Sequence, residues 1–247
     1  MGGGVIGGAA RLPGAVGLSR LRVYDTPAPD GLVGGSAHVH LASEEAYVVV
    51  AGRGAVQTVG PDGPGEVPLE PGTVVWFSPG IVHRLVSEGT LDILVVMQNA
   101  GLPEAGDAVL TFPNAVLADP VRYAEAAALP DGPGAGEAAR RRRDLAVEGF
   151  VDLRGAAATD GGAAVRAFYD RAVALVAHRV PDWRSRWEAG ASAATSDVAR
   201  RLAGLDAGRI EHLFEATLRS VAPAAAEERF GMCGRIQPVD PGGAADW

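Results

Sequence analysis

G-G-S-A-H-V-H-L-A-S-E-E-A-Y-V-V-V-A-G-R-G (residues 34–54) and P-G-T-V-V-W-F-S-P-G-I-V-H-R-L-V-S (residues 71–87) decide how this chain is read. His38 and His40 stand two positions apart, and on a strand that spacing puts both imidazoles on one face. Glu45 follows five residues later, and His83 comes after Pro79-Gly80 in a second β-like run. Three of the five histidines in the chain lie here. Three imidazoles and one carboxylate on β structure suit a first-row divalent metal with open coordination positions.

Outward from these histidines the pattern is β throughout. Ser36 to Leu41 reads as one strand, and Tyr47 to Ala51 as a second with both faces covered. Gly52-Arg53-Gly54 reads as a tight turn, with Ala55 to Val59 returning as a hairpin partner. Val67 to Leu69, Thr73 to Phe77, His83 to Ser87 and Leu91 to Gln98 continue the series between Gly/Pro turns. Leu21 to Tyr24 is a candidate edge strand. Short strands about every ten residues predict a sandwich or barrel.

After about Leu110 the pattern becomes helical. Asp119 and Pro120 open a helix to Leu129, as N-cap and first-turn proline. Glu137 to Val147 reads as helix, and Phe150 to Leu153 is ambiguous. Beyond Gly161-Gly162, Val165, Phe168, Ala172, Leu175 and Val176 form one apolar stripe. Ser196 is a candidate cap for a helix that turns Val198 and Leu202 inward. A last helix is expected over Ala207 to Val221, with Ile210, Leu213, Phe214, Thr217, Leu218 and Val221 on one face. The expected organisation is a flexible N-terminus (1–20), a β-barrel (21–110), a helical region (111–237) and a tail (238–247).

Composition bounds the function. The chain has 247 residues, 47% of them hydrophobic, which is enough for a sizeable core. A net charge of −8 argues against nucleic acid as a bulk electrostatic partner. All 22 basic residues are Arg, so Schiff-base or general-base chemistry on a lysine is excluded. The one cysteine, Cys233, cannot form an internal disulfide. The N-terminus lacks the pattern of a signal peptide, and no apolar run reaches the roughly 18 residues of a membrane span. The expectation is a soluble cytoplasmic protein with no membrane partner.

The two stretches together resemble the cupin superfamily. His38-Val39-His40, four residues, Glu45, six residues and Gly52 follow the first cupin motif. Gly72, five residues, Ser78-Pro79-Gly80, two residues and His83 follow the second. Ser78 stands where the family has Pro, and Ser87 where it has Asn; neither position ligates metal in the family. The resemblance covers about residues 30–100. It implies a mainly β fold, a cupin double-stranded β-helix barrel followed by an α-helical C-terminal region. It also implies that His38, His40, Glu45 and His83 hold one divalent ion: Fe(II) by preference, otherwise Mn(II), Ni(II), Co(II) or Zn(II). Family members commonly pair, so a homodimer is expected. Glu44 is the competing carboxylate, but the six residues to Gly52 favour Glu45.

Around that centre, Tyr47 shares the face of Glu45, as a proton donor or acceptor or as a barrel-lining aromatic. Val49, Trp76, Gln57 and Met97 are candidate substrate-pocket residues, Trp76 depending on a register the sequence leaves open. His178 and His212 read as ordinary helix residues. The run Arg140 to Arg143 reads as a solvated face or partner patch, and Cys233 as a buried, inert thiol.

The function expected is that of a mononuclear Fe(II) dioxygenase acting on a small organic substrate that chelates through two oxygens, with Tyr47 or Glu45 moving a proton. A metal-dependent isomerase, decarboxylase or lyase is the first alternative. A non-catalytic ligand-binding or regulatory cupin is the second.

Overall fold

The computed structural model describes residues 11–160, 162–221, 228–240, 242 and 245–246. Residues 1–10 of the expected flexible N-terminus lie outside these, as do residues 241, 243, 244 and 247 of the expected tail. The strands are β1 (Gly17–Val23), β2 (His38–His40), β3 (Glu45–Gly60), β4 (Gly63–Leu69), β5 (Val74–Phe77), β6 (Val82–Met97), β7 (Ala108–Leu110), β8 (Arg219–Ser220), β9 (Arg229–Phe230), β10 (Gly234–Pro238) and β11 (Ala245–Asp246). The helices are α1 (Asn114–Leu117), α2 (Pro120–Ala127), α3 (Ala135–Ala157), α4 (Ala163–Val176), α5 (Val180–Trp187) and α6 (Ala193–Asp206). An antiparallel β domain is thus followed by a helical region.

Nine strands form one sheet along the path β4-β3-β6-β1-β10-β9, with β2 joining β6 to β7 and β5 pairing β3. Its backbone is the antiparallel pair β3 and β6, each of 16 residues. Gly52-Arg53-Gly54 is therefore not a hairpin turn. The strand runs through it with register breaks between Val49/Ala51 and Gly52/Gly54. Gly52 has φ 85°, and a Cβ there would sit 1.6 Å from the Thr90 carbonyl oxygen; one on Gly54 would sit 2.0 Å from that of Val86. The glycines serve a bulge against a close neighbouring backbone, and a bulge bends a long strand so that one ladder serves both halves of a rolled sheet. His83–Ser87 and Leu91–Gln98 likewise merge into β6.

The chain beyond residue 110 does not leave the sheet for good. β10 pairs with β1 from Ser19↔Pro238 to Val23↔Gly234, and β1 pairs with β6 on its other side. Residues 17–20 are thus strand rather than flexible lead-in.

Two cores result. Leu21, Tyr47, Val49, Val56, Leu85 and Ile93 fill the barrel. Val39, Val59 and Val82 of the sheet meet Phe150 of α3 and Val165, Phe168 and Ala172 of α4 in the second. The α4 stripe is buried as its spacing predicts. Asp119 caps α2, its side chain accepting from Val121 N and Arg122 N. α3 runs straight through Phe150–Leu153.

Three further expectations fail. Arg142 and Arg143 are buried rather than solvated. Arg143, 1% exposed, donates to the carbonyls of Thr26, Pro27 and Gly34, and so ties the 26–34 loop to α3. Ser196 lies inside α6, donating to the Ser192 carbonyl, and Val198 and Leu202 are exposed. The helix expected over Ala207–Val221 is absent. Gly208 takes φ 69°, with Gly208 N bonded to Leu205 O and Arg209 N to Gly204 O, a left-handed glycine end to α6. Ile210, Leu213, Phe214 and Leu218 are exposed.

Candidate metal centre

β2 is only three residues long, yet it sets the site. It is held between two partners, with His38 opposite both His83 of β6 and Leu110 of β7, and His40 opposite Ala108. Odd-numbered Val39 turns into the helical core while His38 and His40 turn into the barrel, as strand alternation requires. Glu45 opens β3 and stands opposite Met97 and Phe77. His38, His40, Glu45 and His83 are all buried, and one ligand atom from each lies within 4.8 Å of the others. His83 Nε2 is 3.1 Å and His40 Nε2 3.5 Å from Glu45 Oε2.

The donor set fits a metal ion. Each imidazole commits Nδ1 to an oxygen: His38 to Ser36 O (3.2 Å), His83 to Ile81 O (3.0 Å) and His40 to Asp107 Oδ1 (2.7 Å). Carbonyl and carboxylate oxygens only accept, so Nδ1 carries the proton and the Nε2 lone pair is left for the centre. Glu45 Oε2 and His83 Nε2 are buried without a hydrogen-bond partner. Orphaned buried polar atoms are costly, and a shared cation satisfies them. Ser78 and Ser87, the two departures from the family pattern, leave this set intact.

The charges agree with a cation site. Burial alone would raise the Glu45 carboxyl, but the close approach of His83 and the charges of His40 and His38 hold it at about 2. Burial, then the neighbouring His83 and His40, lower His38 well below the usual imidazole range. Burial opposes protonation of His40 too, but the Asp107 hydrogen bond and the charge of Glu45 prevail and raise it. Among the described residues the fully buried guanidiniums, Arg84 and Arg143, are committed elsewhere, to Asp30 and to backbone carbonyls.

Of the other expected site residues, Tyr47 is fully buried with its hydroxyl unpartnered, and burial and Glu45 push it well above the usual phenol range. Val49 is buried in the barrel core, and Met97, partly buried, packs against that core opposite Glu45. Trp76 does not line the pocket: it is 73% exposed on the outer face of β5. Its neighbour Phe77 points in instead, with ring centroids 4.2 Å from His83 and 5.3 Å from Tyr47. A shift of one residue exchanges the faces of a strand, and the register that the sequence leaves open seats Phe77 inward and Trp76 outward. Gln57 also leaves the site, bonding Glu66 and lining a separate cavity of about 300 Å³ beneath α3 with Phe150 and Arg154.

The sequence reading missed two neighbours. Asp107 precedes β7, too short a strand to show in a pattern. Cys233 is buried as expected, but its Sγ lies 3.9 Å from His38 Nδ1 because β10 returns to the barrel. Burial raises this thiol far above its ordinary value.

Residues 26–97 match the family model described as cupin domain. Solved structures that align include a conserved double-stranded β-helix protein from Klebsiella pneumoniae (17% identity, 34% of this chain and 66% of that one, TM-score 0.28). They also include a cupin protein from Bacteroides fragilis (20% identity, 35% and 67%, TM-score 0.27). A third is a predicted oxalate decarboxylase from Thermotoga maritima (23% identity, 33% and 64%, TM-score 0.27). The chain spans about two thirds of the length of these relatives. No curated protein matches it. Among the described residues, no helix is long and apolar enough to cross a membrane.

Proposed function

We propose that this chain, whose residues 26–97 are a cupin domain, is a mononuclear Fe(II) dioxygenase acting on a small organic substrate that chelates through two oxygens. The observation that carries the reading is the convergence of one ligand atom from each of three imidazoles and one carboxylate oxygen, with every Nδ1 hydrogen-bonded to an oxygen. His38, His40, Glu45 and His83 would hold the ion. When bound, it supplies Lewis acidity and, as iron, one-electron chemistry at its free positions.

The remaining chemistry belongs to the chain. Phe77, Tyr47 and Met97 surround the centre with apolar and aromatic side chains, which exclude water and favour a carbon skeleton over a charged group. Among the described residues the two fully buried arginines, Arg84 and Arg143, are committed to Asp30 and to backbone carbonyls, so neither serves as a counter-ion for the substrate, and the chelating oxygens carry much of the affinity. Tyr47 keeps its proton on the phenol oxygen and can donate it to an oxygen of the bound substrate. A homodimer, implied by the resemblance, is part of the same proposal.

The test is metal analysis of the purified protein, followed by oxygen uptake with a panel of chelating substrates. Bound iron with stoichiometric oxygen consumption supports the reading. Turnover under strict anaerobiosis replaces it with a Lewis-acid isomerase, decarboxylase or lyase. Metal-free protein whose ligand binding survives His38→Ala and His40→Ala leaves a non-catalytic binding module. Light scattering on the same sample reads the dimer.

A further inference from the structure

His40 is held differently from the other two histidines. His38 and His83 each use the backbone carbonyl two residues before them, whereas His40 uses a carboxylate from another strand. Asp107 is 0% exposed, its Oδ1 lies 2.7 Å from His40 Nδ1, and its Oδ2 has no partner. A carboxylate is rarely buried without a task, since removing it from water is costly unless a donor compensates.

The scaffold fixes this residue on three sides. Leu41 N donates to Asp107 O, Asp107 N donates to Leu102 O, and β7 pairs with β2 directly after it. Trp183 of α5 is buried and its Nε1 donates to Ala105 O, two residues before Asp107. The helical region thus reaches the centre through the 99–107 loop.

We propose that Asp107 is the positioning residue of the metal centre: it locks His40 in the Nδ1–H tautomer, aims Nε2 inward and makes it the strongest imidazole donor. The inference rests on the metal-centre reading. It assigns the loop and the helices behind it a part in metal affinity that the cupin motifs do not contain. A carbonyl orients an imidazole; a carboxylate also increases its basicity, and loss of such a partner weakens metal binding by about 10- to 100-fold.

The test compares wild type with Asp107→Ala and Asp107→Asn in the full chain. Long-range 15N–1H NMR of the metal-free protein reads the His40 tautomer, and calorimetry with Zn(II) or Mn(II) reads Kd. Nδ1–H is expected in wild type, with a shift toward Nε2–H in Asp107→Ala and a Kd at least tenfold weaker. Asp107→Asn keeps the shape and removes the charge, so it carries the affinity test if the alanine variant does not fold. A purely structural role lowers the melting temperature of the metal-free protein but leaves tautomer and Kd unchanged, and that result overturns the proposal. Wild type that binds neither ion overturns the metal-centre reading instead, while the tautomer measurement still decides what Asp107 does.

Discussion

His38 and His83 stand directly opposite each other on β2 and β6, 45 residues apart in sequence, with ring centroids 4.3 Å apart. One antiparallel register therefore joins the two cupin motifs. A one-residue slip would turn His83 away and seat Arg84 in the centre.

Metal should stabilise the fold through this pair. Chelator-treated wild type should melt several degrees higher with excess divalent ion, since ligand at about a hundred times Kd adds roughly 2.7 kcal/mol. His38→Ala and His83→Ala should abolish the shift in differential scanning calorimetry. An equal shift in both variants would locate binding elsewhere.

Asp30 pairs with Arg84, whose side chain is fully buried. Burial opposes ionisation of Asp30, but the Arg84 hydrogen bond and charge outweigh it and lower the carboxyl below its usual range. A carboxyl depressed in the folded state adds stability above its unfolded pKa, and that part is lost as pH falls through the folded value. Asp30→Asn should flatten the acid limb of the pH–stability curve below about pH 4. At neutral pH it should cost no more than about 1 kcal/mol, since Asp30 is largely exposed, Arg84 Nε still donates to Gly35 O and the Asn oxygen still accepts. Urea titrations at several pH values check both.

Gly52→Ala should destabilise by about 3 kcal/mol or more, because it adds a collision with Thr90 O to a left-handed backbone. Gly31 also has positive φ, 82°, but a methyl group added there would meet nothing within 4 Å. Gly31→Ala should cost only about 1–2 kcal/mol. Equal costs in denaturant unfolding would refute the bulge reading.

Trp76→Ala should leave metal Kd unchanged and change stability by no more than about 0.5–1 kcal/mol, since the ring lies on the outer face. Phe77→Ala should cost about 3 kcal/mol and alter substrate affinity. Calorimetry on the two neighbours separates the faces of β5.

The ligand set was legible in the chain because residue type and spacing carry it. His-x-His, Glu45 and a His after Pro-Gly announce both chemistry and strand facing, and the α4 stripe announces its own burial. Trp76 and Phe77 were not separable, since β5 contributes four residues and no local signal sets its phase. The apolar residues of 207–221 have helical spacing, yet Gly208 ends α6, and Ile210, Leu213, Phe214 and Leu218 stay exposed. Spacing records what a face could bury, not whether anything meets it.

The sequence by itself determined the β domain, the four candidate ligands and the helical character of most of the chain beyond residue 110, because these depend on short-range periodicity and residue chemistry. Only the tertiary structure decided that Gly52 and Gly54 bend one strand, that Arg143 is buried, that β10 brings Cys233 beside His38, and that Asp107 holds His40. Each joins residues far apart in the chain. Hydrogen bonds and close approaches of that kind exist only once the sheet has rolled and the helices have closed over it, so no local pattern records them.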